Sequence, residues 1–280
     1  MILQAGRALA RLDPRWGARL AQLSIAGLDV LVPTAESPLH WGCYTMAPWA
    51  GRVRRGRFEH GGARHQLPLR LPPHAIHGTT LDREWRIEEE SDTDRSATLA
   101  TDPDGDHARY GVELGADWPW PGYARQRISL YADRLEWVLE VGTHGTPFPA
   151  SLGWHPWFQR KLARGATLEI DLEAESVYVT DDEGIPTGAL AAPGQGPFDD
   201  CFAGVRRPPR LHWPGALSIE LRSDCDHWVV YDEPAHAACV EPLSGPPDAL
   251  NLAPRTVEPG RPLTRRFALH WTVLGEEAPA

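Results

Sequence analysis

Alternation of apolar and polar residues with a period of two is the feature that most limits what this chain can fold into. In "RQRISLYADRLEWVLEV" (residues 125–141) the alternation runs for two strand lengths and breaks only at Ala132-Asp133-Arg134, so the stretch reads as an antiparallel hairpin about that turn. "ATLEIDLEAESVYVT" (166–180) alternates from Leu168 through Leu172 and also reads as hairpin. "RRFALHWTVL" (265–274) puts Phe267, Leu269, Trp271 and Val273 on one face. No stretch sustains a helical period, and 27 prolines and 26 glycines among 280 residues supply many turns, so few long helices are expected. Short apolar runs recur at the spacing of a large sandwich, and the expected fold is all-β and antiparallel. No low-complexity linker divides the sequence, although "GALAAPGQGPF" (188–198) reads as a long loop, so residues 1–280 are expected to form one domain.

A formal net charge of −10 is the wrong sign for a surface that neutralises phosphates. Nucleic acid and anionic membrane are therefore not expected as partners, and a small neutral ligand is. Cys43, Cys201, Cys225 and Cys239 are scattered with no CxxC pair, which signals buried free thiols rather than a zinc or redox site. The opening "MILQAGRALARLDPRWGARL" meets charge at Arg7 and Arg11 before a continuous apolar core forms, and no later stretch runs 18 apolar residues. A cytoplasmic, unprocessed protein is expected, as a monomer or weak homodimer.

Four short stretches put a polar group where apolar residues crowd it: "HAIHGT", "GWHPWF", "DDCF" and "ACVEPLSGPPDALN". His155 precedes a proline that favours extended backbone, and Trp154, Trp157 and Phe158 offer walls on which sugar rings stack. It reads either as a proton donor near neutral pH or as a core histidine satisfied by a carbonyl. His77 precedes Gly78, where a backbone can approach a ligand closely. His74 and His77 lie three apart, on opposite faces of any strand, which disfavours a shared metal. Asp200 reads as a ligand-facing acid or as a turn aspartate. Glu241 reads as the end of the apolar strand "AACV", with burial raising its pKa toward that of a useful general base, or as a strand-end glutamate paired with an arginine. Pro242, Pro246 and Pro247 stiffen the loop after it. In "GRVRRGRF" (51–58), Arg54-Arg55-Gly56 read as a solvent-facing hairpin tip between Val53 and Phe58. Trp41, Trp49 and Trp85 read as core or pocket walls.

Taken in order, "GRVRRGRF", "HAIHGT" with Trp85, "GWHPWF", "DDCF" and "EPLSGPPDALN" resemble the aldose 1-epimerase (galactose mutarotase) family. The resemblance implies a large antiparallel β-sandwich with an open sugar cleft, a monosaccharide substrate, and neither metal nor cofactor. It maps working residues onto Glu241 as general base, His155 as general acid and His77 beside them, with Arg52 and Asp200 holding the sugar; Trp157, read above as a stacking wall, is expected to help bind it. Gly51 stands where an asparagine is usual, Trp154 where a smaller residue is usual, and Trp157 where a tyrosine is usual, which leaves galactose in question as the preferred sugar. Other readings are a non-catalytic sugar-binding or sensor protein on the same fold and a hexose-6-phosphate mutarotase, which Arg54 and Arg55 would serve if they faced the cleft. A glycoside hydrolase using Asp200 and Glu241 leaves His155 without a role.

Overall fold

A computed structural model describes residues 1–88 and 105–275. The alternating segments form two large sheets whose ladders are antiparallel, and the only α-helix among the described residues is the single turn Ala249–Leu252. The twelve-stranded sheet runs Ile2–Ala5, Ala8–Asp13, Arg19–Ile25, Cys43–Met46, Gly153–Pro156, Ala237–Leu243, His227–Tyr231, Asp199–Val205, Ala174–Thr180 and Pro186–Ala191, with Leu28–Asp29 and Phe158–Gln159 attached off this path. The eight-stranded sheet runs Arg86–Ile87, Asp106–Glu113, Gly122–Leu130, Arg134–Thr143, Leu263–Val273, Leu217–Ser223, Arg210–Trp213 and Glu169–Asp171.

Period-two patterning explains how these sheets bury their faces. Gly122–Leu130 and Arg134–Thr143 pair about the expected turn, with Leu130 opposite Leu135, and Phe267, Leu269 and Trp271 all point inward. One apolar cluster takes residues from both sheets, among them Leu20, Leu23 and Val240 of the larger and Ile128, Leu139 and Phe267 of the smaller. Burying each such side chain contributes on the order of 1.5–3 kcal/mol, an upper estimate because the unfolded chain is itself partly compact.

The middle of the larger sheet is buried on its second face as well. Val230, Ala238 and Val240 join the inter-sheet core, while Val229, Tyr231, Ala237, Cys239 and Leu243 join a separate cluster with Tyr44, Met46 and Trp157. That second cluster floors a cavity. All four cysteines are free and buried.

Three local expectations need correction. "ATLEIDLEAESVYVT" is no hairpin: Glu169–Asp171 pairs with Arg210–Trp213 in the smaller sheet, and Ala174–Thr180 crosses to pair with Pro186–Ala191 and Asp199–Val205 in the larger. Alternation specifies which side chains point inward, not which sheet a strand joins. "GRVRRGRF" is no hairpin either, since Arg52–Val53 pairs with Ala75–Ile76, Arg57–His60 pairs with Ala63–Gln66, and a 3-10 turn at Arg54–Gly56 joins them. The loop placed at 188–198 begins as strand, through Ala191.

Candidate active site

Three pairings bring the scattered motifs together. The ribbon Arg52–Val53 with Ala75–Ile76 sets Arg52 opposite Ile76 and hence next to His77. Gly153–Pro156 pairs with Cys43–Met46, putting His155 opposite Tyr44. Ala237–Leu243 pairs with His227–Tyr231, which pairs in turn with Asp199–Val205, so Glu241, Val229 and Cys201 lie in one row across the sheet. The cavity over this row has a volume of about 360 Å³, and Arg52, His77, His155, Trp157, Asp200 and Glu241 all line it.

Glu241 sits inside its strand, not at the end as the prolines suggested. The strand continues through Pro242 to Leu243, every residue of it buried. Only 3% of Glu241 is exposed, and its Oε1 lies 3.2 Å from Nε2 of His155. Its contact is thus an imidazole rather than an arginine. Burial pushes the Glu241 carboxyl well above its ordinary range; the negative charge of Asp199 adds to the rise and Arg52 opposes it. Burial also pushes His155 down to about 3, with the His40 charge in the same direction. Both shifts favour the uncharged forms, a protonated carboxyl beside a neutral imidazole.

The imidazole of His155 lies between Tyr44, with ring centroids 4.9 Å apart, and Trp157, at 5.4 Å and 11° from parallel. His77 meets it edge-on at 5.0 Å. Trp157 is fixed by its indole N–H, which donates to the Leu39 carbonyl at 2.7 Å. The Nδ1 atoms of His77 and His155 are buried with no hydrogen-bond partner among the described residues, and hydroxyls of a ligand are suitable partners for such atoms. Trp154 and Phe158, expected as cavity walls, are both fully buried in the inter-sheet core instead. Trp154 is the strand neighbour of His155 and must face the other way. Trp49 and Trp85 are core residues, as expected.

His77 adopts a left-handed backbone, φ 57°, with its N–H donating to the Gly51 carbonyl at 3.0 Å. Such strain in a non-glycine residue is held by its surroundings. Gly78 follows at φ 79°, and a Cβ there would fall inside the contact distance of the Ala47 carbonyl oxygen. Gly78→Ala is therefore expected to cost about 3 kcal/mol or more, a drop in Tm on the order of 10 °C by thermal unfolding. An unchanged Tm would contradict this account of the His77 turn.

Sequence reasoning missed Asp199. Its Oδ2 accepts from Arg52 Nη2 at 3.2 Å, and it lies on the same strand face as Cys201, toward the cavity. Asp200, the residue expected there, also lines the cavity, its carboxyl raised by burial and by the charges of Asp199 and Glu233. The signal that favoured Asp199 was the alternation itself, because Cys201 and Phe202 point to opposite faces. Gly51 has φ 69°, and a Cβ on it would come 2.9 Å from Pro247 Cβ, so here the prolines after Glu241 occupy the space of the missing side chain.

One group among the described residues has donor atoms close enough to gather a cation: His155, Cys239 and Glu241, all within 4.8 Å of one another. His74, by contrast, accepts from the Arg55 N–H through Nδ1 at 3.1 Å and is not part of that group. No helix among the described residues is long and apolar enough to cross a membrane.

The family profile described as aldose 1-epimerase matches residues 3–265 of the chain. Among solved structures, a galactose mutarotase-like protein from Clostridium acetobutylicum is similar with a TM-score of 0.82 at 15% identity, over 98% of this chain and 95% of that one. Galactose 1-epimerase from Lactobacillus acidophilus NCFM is similar with a TM-score of 0.75 at 18% identity, over 96% and 92%. An aldose epimerase homologue from C. elegans gives 0.75 at 16% identity, over 97% of both chains. These likenesses establish the fold. No curated protein matches in sequence.

Proposed function

We propose that this chain, which belongs to the aldose 1-epimerase family, interconverts the α and β anomers of a neutral aldose. The observation that carries this reading is the contact of 3.2 Å between Nε2 of His155 and Oε1 of Glu241 on the floor of a cavity large enough for one sugar ring. Anomerisation removes the proton from the C1 hydroxyl and gives one to the ring oxygen; the ring opens, the C1–C2 bond turns, and closure reverses both transfers. The reaction needs one base, one acid and no net change of protons.

A buried pair sharing one proton suits this requirement. In the form with carboxylate and imidazolium, Glu241 takes the proton from O1 while His155 gives its proton to O5. Without ligand, burial favours the neutral form, which differs only in which member holds the proton. Hydroxyls of a bound sugar supply the dipoles that stabilise the charged form. In this reading His77 donates to the reacting region, Arg52 and Asp200 hold other hydroxyls, and Trp157 packs against an apolar patch of the ring. Glycoside hydrolysis fits less well, because the nearest acid–base partner of Glu241 is a histidine and not a second carboxylate.

The arginines of the 54–55 turn bear on the phosphorylated alternative. Arg54 pairs with Asp181 and Glu183, and Arg55 with Glu183, so their charge is already matched within the protein. Asp199, Asp200, Glu233 and Glu241 line the cavity, and its arginine, Arg52, is paired with Asp199. A sugar phosphate would meet net repulsion there. The direct test is polarimetry or NMR of freshly dissolved pure anomers of several neutral aldoses, with and without protein. Faster equilibration of any of them is expected. Binding with every anomer relaxing at its spontaneous rate would transfer the reading to a sugar sensor.

The shared proton also fixes the pH dependence. Activity requires the pair to hold one proton: it is lost on the acid side when His155 is protonated beside a protonated Glu241, and on the alkaline side when the pair loses its proton. His155 is depressed from 6.5 to about 3 and Glu241 is raised above 4.5, so kcat/KM is expected to be bell-shaped with a wide plateau and an acid limb well below 6.5. An acid limb at the ordinary histidine value would contradict the shared proton.

A further inference from the structure

One cavity wall comes from the 174–191 hairpin, whose Ala174 and Val177 pack against the inter-sheet core. Pro186–Ala191 forms the free edge of the larger sheet, next to Ala174–Thr180, and is exposed along its length apart from Pro186. The tip between them supplies Thr180, Gly184 and Pro186 to the cavity lining. Ile185 is buried at this tip but belongs to neither apolar cluster among the described residues. What the tip does have is charge. Asp181 Oδ2 accepts from Arg54 Nη2 at 2.5 Å, Glu183 Oε2 accepts from Arg54 Nη1 at 3.0 Å, and Glu183 Oε1 pairs with Arg55.

Each side of this contact is also held by hydrogen bonds of its own. On the hairpin, Asp181 Oδ1 accepts from the N–H groups of Glu183 and Ile185 at 3.0 and 3.1 Å, which leaves Oδ2 for Arg54. On the other side, Arg55 takes a left-handed backbone, φ 48°, and the Arg54 N–H donates to Asp248 Oδ1 at 3.0 Å. Asp248 in turn donates its own N–H to the Arg52 carbonyl at 2.6 Å. Asp248 ends the proline loop after Glu241. A continuous set of bonds therefore runs from the segment after the proposed base, through the arginine turn, to the hairpin tip across the cavity.

We infer that Arg54 and Arg55 are positioning residues that latch the 174–191 hairpin over the sugar, so that they set its affinity and not its rate of reaction. The inference rests on the mutarotase reading for its ligand. The latch is partly exposed, with side-chain exposures of 36% and 59% for the arginines and 32% and 29% for Asp181 and Glu183. Exposed ion pairs are individually weak and are screened by salt. That weakness suits a wall that has to open for the sugar to enter and leave.

The test compares the double variant Arg54→Ala/Arg55→Ala, and the milder Glu183→Gln, with the parent protein. Hydrogen exchange of the Gly184 and Ile185 amides needs no sugar, and is expected to quicken by about tenfold or more in the double variant and by less in Glu183→Gln. KM for the sugar that the parent equilibrates fastest is expected to rise about tenfold, or 1.4 kcal/mol, with kcat within about threefold. Parent KM should climb with sodium chloride toward the variant value, while the double variant stays flat. Unchanged exchange overturns the latch. Faster exchange with unchanged KM overturns its role in affinity, and a fall in kcat at constant KM does the same. If the double variant does not fold, Glu183→Gln decides by the same readings. If the parent accelerates no anomer, the mutarotase reading fails, while exchange and a sugar titration still decide the latch.

Discussion

Glu241→Gln is expected to lower kcat by at least ~10²-fold while the protein stays folded and still binds sugar. The amide keeps the shape of the carboxyl and one acceptor oxygen but cannot take the O1 proton. A scaffolding role predicts a different outcome, mainly loss of stability. Glu241 is 3% exposed, and its Oε1 faces His155, whereas the arginine nearest in charge, Arg52, pairs with Asp199. Removing the carboxyl therefore breaks no buried ion pair with an arginine. A neutral amide also avoids the desolvation that raises the carboxyl's pKa. Stability should change by about 1 kcal/mol or less, a few degrees in Tm for a chain of this size. Thermal unfolding and turnover on one preparation check both parts. Near-normal turnover would sink the assignment of the base, and collapse of the fold would favour the scaffold.

The sheet faces were legible because strand alternation needs no knowledge of distant partners. Phe267, Leu269 and Trp271 follow from "RRFALHWTVL" alone. Sheet membership was not legible: the step from Glu169–Asp171 to Ala174–Thr180 changes sheets within a few residues, and only the partners Arg210–Trp213 and Asp199–Val205 decide it. Glu241 was legible as a buried carboxylate, but Pro242 suggested a strand end. Proline removes one donor, yet its carbonyl and extended backbone still let it stand opposite Trp228 in the ladder. Asp199 and Asp200 both line the cavity, and the pairing of Asp199 with Arg52 was not legible because its partner lies 147 residues away in the chain. Arg54 and Arg55 looked like a solvent-facing tip because their acids, Asp181 and Glu183, lie far along the chain.

His155→Gln is the companion test, and its largest effect should come from failing to add. Alone, the substitution removes the donor to O5 and should lower kcat by roughly 10²–10⁴-fold. It also changes the base. Without the imidazole, Glu241 remains buried, with the charge of Asp199 also favouring its protonated form and no neighbouring group to take its proton, so it becomes a poorer acceptor of the O1 proton. The His155 variant thus impairs both members. The double variant Glu241→Gln/His155→Gln is then expected to be no more than a few-fold slower than the slower single, as found for residues that act as one unit. Independent acid and base would instead multiply, giving a loss of roughly 10⁴-fold or more. The glutamine is smaller than the imidazole stacked between Tyr44 and Trp157, so some loss of stability is expected in both variants that carry it. The comparison is therefore made at a temperature where both are fully folded by circular dichroism. A multiplicative loss under those conditions would mean that two separately held protons, rather than one shared across the 3.2 Å contact, carry the reaction.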